Sequence, residues 1–214
     1  DQSIDEDTSL IYSLSASDVD DTDLEYSVTV DGNASVDVTE SVLTIIPDAN
    51  YNGDILVSVT VSDGEFTDSG SFTLVVNPVN DAPVLTAIDD QSIDEDTSLI
   101  YSLSASDIDE DILSYSVVII SGDASYDLQD DLLTITPDLN YNGDVQVSVA
   151  VFDGELADSQ SFTLTVNPVN DAPELIQDLN DIQAQEDDSD IIITLSDYFS
   201  DVDSNELFYS YEES

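Results

Sequence analysis

The seven residues Asn77-Pro78-Val79-Asn80-Asp81-Ala82-Pro83 return unchanged as Asn167 to Pro173, ninety positions later. A repeat of that period restricts the fold to a tandem array of like units, each burying its own core. The match runs far beyond the heptapeptide: Gln2 to Asp18 returns as Gln91 to Asp107 at an offset of 89, with every residue kept. One residue is then inserted near Ile119-Ile120, and the offset is 90 from Pro47/Pro137 to Pro83/Pro173. A third, more diverged copy opens at Glu174. There Gln185-Glu186-Asp187 stands for Asp94-Glu95-Asp96, and Ser200-Asp201-Val202-Asp203 for Ser106-Asp107-Ile108-Asp109. The predicted units are 1–79, entered inside a repeat at Asp1, then 80–169, and 170–214, which stops about half a repeat short and whose opening strands are expected to include Ile191-Ile192-Ile193 and Leu207-Phe208-Tyr209.

Within a unit the apolar residues alternate: Tyr115, Val117, Ile119; then Val145, Val147, Val149, Val151; then Phe162, Leu164, Val166. Period-two alternation places one face of each strand in a core and the other in water. Asp63-Gly64 and Asp153-Gly154 fall between the last two runs, where a glycine-bearing turn closes a hairpin. No segment carries a helical period with caps. About seven short strands in about 90 residues predict an all-β chain of tandem immunoglobulin-like Greek-key β-sandwiches. The Pro-bracketed heptapeptides are the linkers, stiffened by two residues of fixed φ.

Fifty carboxylates and no Lys, Arg or His give a formal charge of −50. Nucleic acid and anionic membrane are bound through Lys and Arg and are excluded as partners. No run reaches the 18 or so apolar residues of a membrane span. Disorder is the ordinary state of so acidic a chain, but these acids are interleaved with Val, Ile and Leu at period two and 41% of residues are hydrophobic. The chain has no Cys, so no disulfide framework is at work.

Four acidic features recur in each unit: the Glu of Asp-Glu-Asp-Thr, an Asp-x-Asp pair, the Asp of the Asp-Gly turn, and the linker Asn-Asp. In an end-to-end sandwich these gather at the poles. Asp107 and Asp109 alternate with Ile108, which on an extended chain turns both carboxylates to one side. Two carboxylates about 4 Å apart repel by about 4 kcal/mol at an effective dielectric of about 20, so such joints call for a cation. Oxygen ligands without His or Cys select Ca²⁺ over zinc or copper, and their flexibility favours Ca²⁺ over Mg²⁺.

The arrangement resembles the cadherin superfamily, in particular the bacterial cadherin-like tandem repeats of large surface adhesins. Asn80-Asp81-Ala82-Pro83 is similar to that family's linker motif, with Ala82 where the family has an Asn that ligates through its carbonyl. Glu6 and Glu95 resemble its first-strand Glu, Asp107-Ile108-Asp109 its Asp-x-Asp motif, and Asp153 the Asp before its last strand. Its Asp-Arg-Glu motif falls on Asp48-Ala49-Asn50 and Asp138-Leu139-Asn140, where Asn replaces Glu and one ligand charge is lost. The resemblance implies a first joint of Glu6, Asp48, Asn50, Asn80, Asp81, Asp107, Asp109 and Asp153. It implies a second of Glu95, Asp138, Asn140, Asn170, Asp171, Asp201 and Asp203, whose last ligand lies beyond Ser214. Asp18, Asp20 and Asp63 are then the receiving half of a joint to an upstream unit.

Plainer readings stand beside these. Asp63 and Asp153 each suit a turn in which the carboxylate bonds its own backbone. Asp5, Asp7, Asp94 and Asp96 read as solvated surface charge. Tyr51-Asn52-Gly53-Asp54 and its copy at Tyr141 read as a turn with a packed tyrosine. Asp201 to Glu212 meets several EF-hand spacings, but Glu206 stands where Gly is needed and Leu207-Phe208-Tyr209 reads as strand. Asp68-Ser69-Gly70 has the look of an aspartic-protease triplet in a strand-connecting turn, yet its copy is Asp158-Ser159-Gln160. Without His, Cys or Lys there is no conventional base for a nucleophilic triad. A two-carboxylate glycosidase is compatible with the residue types but needs a cleft that a thin sandwich does not readily offer, so no catalytic or organic-cofactor residues are expected.

The expected function is a calcium-rigidified spacer or adhesive rod, a segment of a long extracellular surface protein or fibre. Its partners are calcium ions, neighbouring repeats of the same or like chains, and a cell-surface or matrix ligand. The alternative is a calcium-dependent carbohydrate- or partner-binding module.

Overall fold

The computed structural model describes residues 2–183, 185, 186 and 189–210. Asp1, Asp187 of the third-copy motif, and Glu212 of the EF-hand spacing lie outside the described residues. The chain divides into two compact units, the first being Asp1–Ala82 with Asp107–Asp111, the second Pro83–Ser106 with Ile112–Ser214.

The first unit carries seven strands: β1 Gln2–Asp5, β2 Leu10–Ser13, β3 Glu25–Val30, β4 Ala34–Thr39, β5 Val42–Pro47, β6 Gly53–Ser62 and β7 Thr67–Asn77. They form two facing sheets, ordered β1-β7-β6-β3 and β2-β5-β4, with β1 parallel to β7 and all other pairs antiparallel. Inward residues at alternate positions make the core: Leu43 and Ile45 from one sheet, Ile55, Val57, Leu74 and Val76 from the other. The β6–β7 hairpin turns where expected. Asp63 Oδ1 accepts the N–H groups of Glu65 at 2.7 Å and Phe66 at 2.6 Å, and Gly64 takes the positive φ (+96°) that a side chain resists.

The second unit repeats this plan with β8 Val84–Leu85, β9 Gln91–Asp94, β10 Leu99–Ser102, β11 Ala105–Ser106, β12 Ser114–Ser121, β13 Ala124–Gln129, β14 Leu132–Pro137, β15 Gly143–Phe152 and β16 Ala157–Asn167. Its sheets run β12-β15-β16-β9 and β10-β14-β13, and β8 pairs with β11. Val145, Val147, Val149, Val151, Phe162, Leu164 and Val166 are all buried, as their alternation predicts. The inserted residue of this copy is absorbed as a β-bulge: Ile119 pairs with Val147 and Ser121 with Gln146, leaving Ile120 without an opposite. Tyr141 packs on the core and donates its hydroxyl to the Asp144 carbonyl at 3.0 Å, as Tyr51 does to Asp54 at 3.1 Å.

Three local expectations are corrected. Ile191-Ile192-Ile193 and Leu207-Phe208-Tyr209 are not strands; the third copy holds only β17 Glu174–Leu175 paired with β18 Phe199–Ser200 and one 3₁₀ turn at Leu195–Asp197 among its described residues. Apolar runs become strands only against a partner: β9 and β10 are held by β16 and β14, and the third copy has no counterpart of either among its described residues. Asp68-Ser69-Gly70 lies inside β7, paired with Val61, Thr60 and Val59, and not in a turn. Residues 107–109 bend and are not extended, because Asp107 Oδ1 accepts the Asp109 N–H at 2.9 Å.

Candidate functional site

Parallel pairing of β1 with β7 ends at Asp5 opposite Asn77, and the next rung is the Glu6 N–H to the Asn77 carbonyl at 2.9 Å. That rung delivers Glu6 to the start of the linker, where the residue is 4% exposed and its Oε1 accepts the Val79 N–H at 2.5 Å. Glu95 is placed identically in the second unit: its N–H donates to Asn167, it is 4% exposed, and its Oε1 accepts the Val169 N–H at 2.5 Å. Asn142 Nδ2 adds a bond to Glu95 Oε2 at 3.3 Å. Both are the buried charged residues of their units, and neither has a basic partner anywhere in the chain.

The linker Asp comes next. Asp81 donates its N–H to Asp109 Oδ2 at 2.8 Å, while Asp107 Oδ1 accepts the N–H groups of Asp109 at 2.9 Å and Asp111 at 3.4 Å. In the second unit Asp171 donates to Asp203 Oδ2 at 2.6 Å, and Asp201 Oδ1 accepts from Asp203 and Ser204, each at 2.9 Å. Asn80 and Asn170 brace the bend by donating Nδ2 to the carbonyls of Asp81 and Asp171 at 3.1 and 2.7 Å.

Three carboxylate oxygens here, Asp81 Oδ2, Asp107 Oδ2 and Asp171 Oδ2, are sealed from solvent and accept no hydrogen bond. An unpaired buried carboxylate oxygen is costly, and one occurs at the same place in both linkers. The Asp81 carboxyl is pushed above its ordinary range by burial and then by the charges of Asp7, Asp109, Glu6 and Asp107. Asp171 is raised likewise by burial and by Asp96, Asp203, Glu95 and Asp201. Among the described residues no three carboxylates are gathered around one point at metal-ligand spacing. Like charges instead turn toward backbone N–H groups. The donor set itself, all oxygen, partly buried and short of positive charge, fits a hard divalent cation.

The remaining predicted residues fall in three places. Asn50 and Asn140 take positive φ and reach their clusters through the backbone, donating N–H to Asp7 Oδ1 at 3.1 Å and Asp96 Oδ1 at 2.9 Å. Asp48 and Asp138 sit two residues earlier, their N–H groups bonded to the carbonyls of Asn33 and Asp123. Asp18 and Asp63 line one cleft of the first unit, with Asp18 Oδ1 accepting the Asp20 N–H at 2.7 Å. Asp153 holds the β15–β16 turn by accepting from Glu155 at 2.6 Å and Leu156 at 2.7 Å, as Asp63 does in its own.

Asp7 and Asp96, expected as solvated surface charge, are exposed, and the structure gives each a further contact that the sequence reading did not assign. Each is the charge that acts most strongly on the linker Asp of its cluster, after burial, and accepts the N–H of Asn50 or Asn140. Their signal was available in the sequence: an Asp repeated one residue after a buried Glu, at a tight turn closed by Thr8 or Thr97 and needing positive φ.

Residues 2–77 and 79–167 match the cadherin-like domain family, and the chain belongs to it. It is similar to two-domain human mucin-like protocadherin EC1-2 (19% identity, 78% of this chain and 95% of that one, TM-score 0.45). It is also similar to Drosophila N-cadherin EC1-4 (17% identity, 81% and 49% covered, TM-score 0.39). Over 155 residues it is 32% identical to Chitinase A of Pseudoalteromonas piscicida, a stretch that covers 71% of this chain and 19% of that protein. The chain thus spans a small part of that relative's length. The family defines a class of β-sandwich modules with adhesive or spacer roles. Among the described residues no helix is long and apolar enough to cross a membrane.

Proposed function

We propose that this chain is a calcium-stiffened spacer in an extracellular rod or fibre, built from repeats 1–79, 80–169 and 170–214. One observation carries the reading: a buried linker carboxylate oxygen without a partner, at Asp81 and again at Asp171, inside a set of oxygen ligands. Calcium, when bound, supplies the positive charge that neither cluster contains. Glu6 and Asp81 would hold it from one repeat and its linker, Asp107 and Asp109 from the next; Glu95, Asp171, Asp201 and Asp203 do the same one repeat later. Asp7 and Asp96 add the charge that Asn50 and Asn140 lack. Near-identity of the first two repeats favours a spacer, since a spacer gains from every copy. Calorimetric titration with Ca²⁺ tests it. The expected result is saturable binding at both clusters, lost together when Asp81 and Asp171 are changed to Asn; calcium uptake unaffected by those changes would refute it.

A second reading has one observation in its favour, the likeness to a chitinase. On that reading the repeats hold or bind carbohydrate within a longer secreted polysaccharide-degrading protein. Calcium-dependent retention of the chain on chitin would support it.

A further inference from the structure

Tyr141-Asn142-Gly143 carries the chain from β14 into β15. The Tyr141 N–H donates to the Asp138 carbonyl at 3.0 Å, and its ring packs on the core while the hydroxyl reaches the Asp144 carbonyl. That hydroxyl lies against residue 143, where a Cβ would meet its oxygen at 3.3 Å and where φ is +137°. Both conditions call for glycine. Asn142, exposed and outside any strand, is thereby left next to a residue whose backbone nitrogen no side chain shields.

The Asn142 carboxamide also touches the second acidic cluster. Its Nδ2 donates to Glu95 Oε2 at 3.3 Å, the other oxygen of the buried glutamate that accepts the Val169 N–H. Asn140 takes a left-handed φ of +58° and gives its N–H to Asp96 Oδ1, so the side-chain amide that meets Glu95 comes from Asn142, two residues on. Asn52-Gly53 repeats the turn, with φ +136° at Gly53, but the Asn52 carboxamide makes no bond to Glu6 among the described residues.

We infer that Asn142 is a self-modifying site whose conversion to aspartate or isoaspartate places a further carboxylate beside Glu95. The Gly143 nitrogen attacks Asn142 Cγ, a new N–Cγ bond forms as the Cγ–Nδ2 bond breaks, and the Gly143 amide proton departs with Nδ2 as ammonia. The succinimide that remains is opened by water at either carbonyl, and both products carry a carboxylate at position 142. Before conversion the amide donates to Glu95. Afterwards two carboxylates face each other; they repel in the absence of a cation and share one when calcium is bound. The consequence for calcium rests on the function proposed above, and the chemistry does not.

Incubation of the full chain in warm, mildly alkaline buffer, followed by peptide mass mapping, tests the modification. Exchange of the amide for an acid at Asn142 is expected, with isoaspartate among the products, and position 142 should stay unchanged in Asn142→Gln. A free peptide of residues 139–146 is the reference: Asn142 intact in the chain after the peptide has converted overturns the modification. Asn142→Asp tests the consequence. Calorimetric titration should show calcium held at the second linker about tenfold more tightly than in wild type, and melts in chelator at neutral pH should show a lower Tm. Asn52→Asp, at a residue without a bond to Glu6, should tighten the first linker less. Unchanged affinity in Asn142→Asp while the wild-type chain binds calcium, or equal gains from the two variants, overturns the role of the Glu95 contact. Absence of calcium binding by either chain refutes the calcium reading and with it the consequence, while mass mapping still decides the modification.

Discussion

The backbone N–H of Asp81 rests on Asp109 Oδ2 at 2.8 Å while the Asp81 side chain keeps an oxygen buried and unpaired, and Asp171 stands to Asp203 in the same relation at 2.6 Å. A linker carboxylate is thereby held against a neighbouring Asp-x-Asp bend by its main chain, with its charge left uncompensated. The linker side of the pair lies in the same heptapeptide both times, while the Asp-x-Asp side is Asp107-Ile108-Asp109 in one case and Asp201-Val202-Asp203 of the diverged third copy in the other.

Asp109→Asn removes one charge from this set while leaving an oxygen to accept the Asp81 N–H. Calcium affinity at the first linker should fall about tenfold, the effect of one lost ligand charge near a half-buried site. Asp23→Asn, on an exposed residue, is the control and should change it little. Equal calorimetric curves for the two variants would show that the ion responds to bulk acidity.

Without cation the same charges oppose folding. A carboxyl whose folded pKa is raised stabilises the fold below its unfolded pKa, and that contribution is lost as pH rises through the folded value. In chelator the wild-type chain should therefore lose stability relative to Asp81→Asn as pH climbs from acid to neutral, with Asp171→Asn behaving alike. Asp63 has the opposite sign: the Phe66 and Glu65 N–H groups lower its pKa, so its contribution is present above the ordinary carboxylate range and lost as pH falls. Thermal melts across pH, in chelator and in calcium, separate these, and calcium should reverse the order of wild type and Asp81→Asn at neutral pH.

Much of this was legible in the residues. Val145 to Val151 announce a half-buried strand because period two admits no other face assignment, and the repeat places Glu95 wherever Glu6 goes. The inserted residue at Ile120 was visible as an insertion, but only pairing across β12 and β15 makes it a bulge. Asp107 was misread as extended because a short carboxylate can cap the N–H two residues on, a local choice that alternation does not reveal. Asp7 is exposed as expected, but its bond to the Asn50 N–H arises from a left-handed turn that alternation does not reveal. Ile191 to Ile193 failed as a strand for a non-local reason: apolar alternation proposes a strand, and only a partner makes one.

Gly32 and Gly122 are repeat counterparts with unequal freedom. Both take positive φ, but a Cβ at Gly122 would sit 2.8 Å from the Asp144 carbonyl oxygen and 2.8 Å from Val145 Cα, whereas Gly32 faces open space. Gly122→Ala should cost about 2–4 kcal/mol through strain and overpacking, and Gly32→Ala about 1 kcal/mol through backbone strain alone. Denaturant unfolding of the two variants checks the difference. Equal costs would mean that the strand after the bulge gives way freely.

The linkers supply the last prediction. The N–H groups of Val79 and Val169 rest on buried glutamates, and those of Asp81 and Asp171 on neighbouring aspartates, so carboxylates accept these main-chain donors in both segments. Without cation these carboxylates repel one another, and the segments should open while the sandwiches stay folded, since among the described residues Glu6 and Glu95 are the buried charges. Trypsin has no site in a chain without Lys or Arg, but an acid-specific endoproteinase can cut after Asp81 and Asp171. In chelator it should cut there first and release intact sandwiches; in saturating calcium the same bonds should resist, with a denatured substrate confirming equal protease activity in both buffers. Cleavage at equal rates with and without calcium would show that the ion does not hold the linkers, and cuts spread through the strands would show that it holds the sandwiches instead.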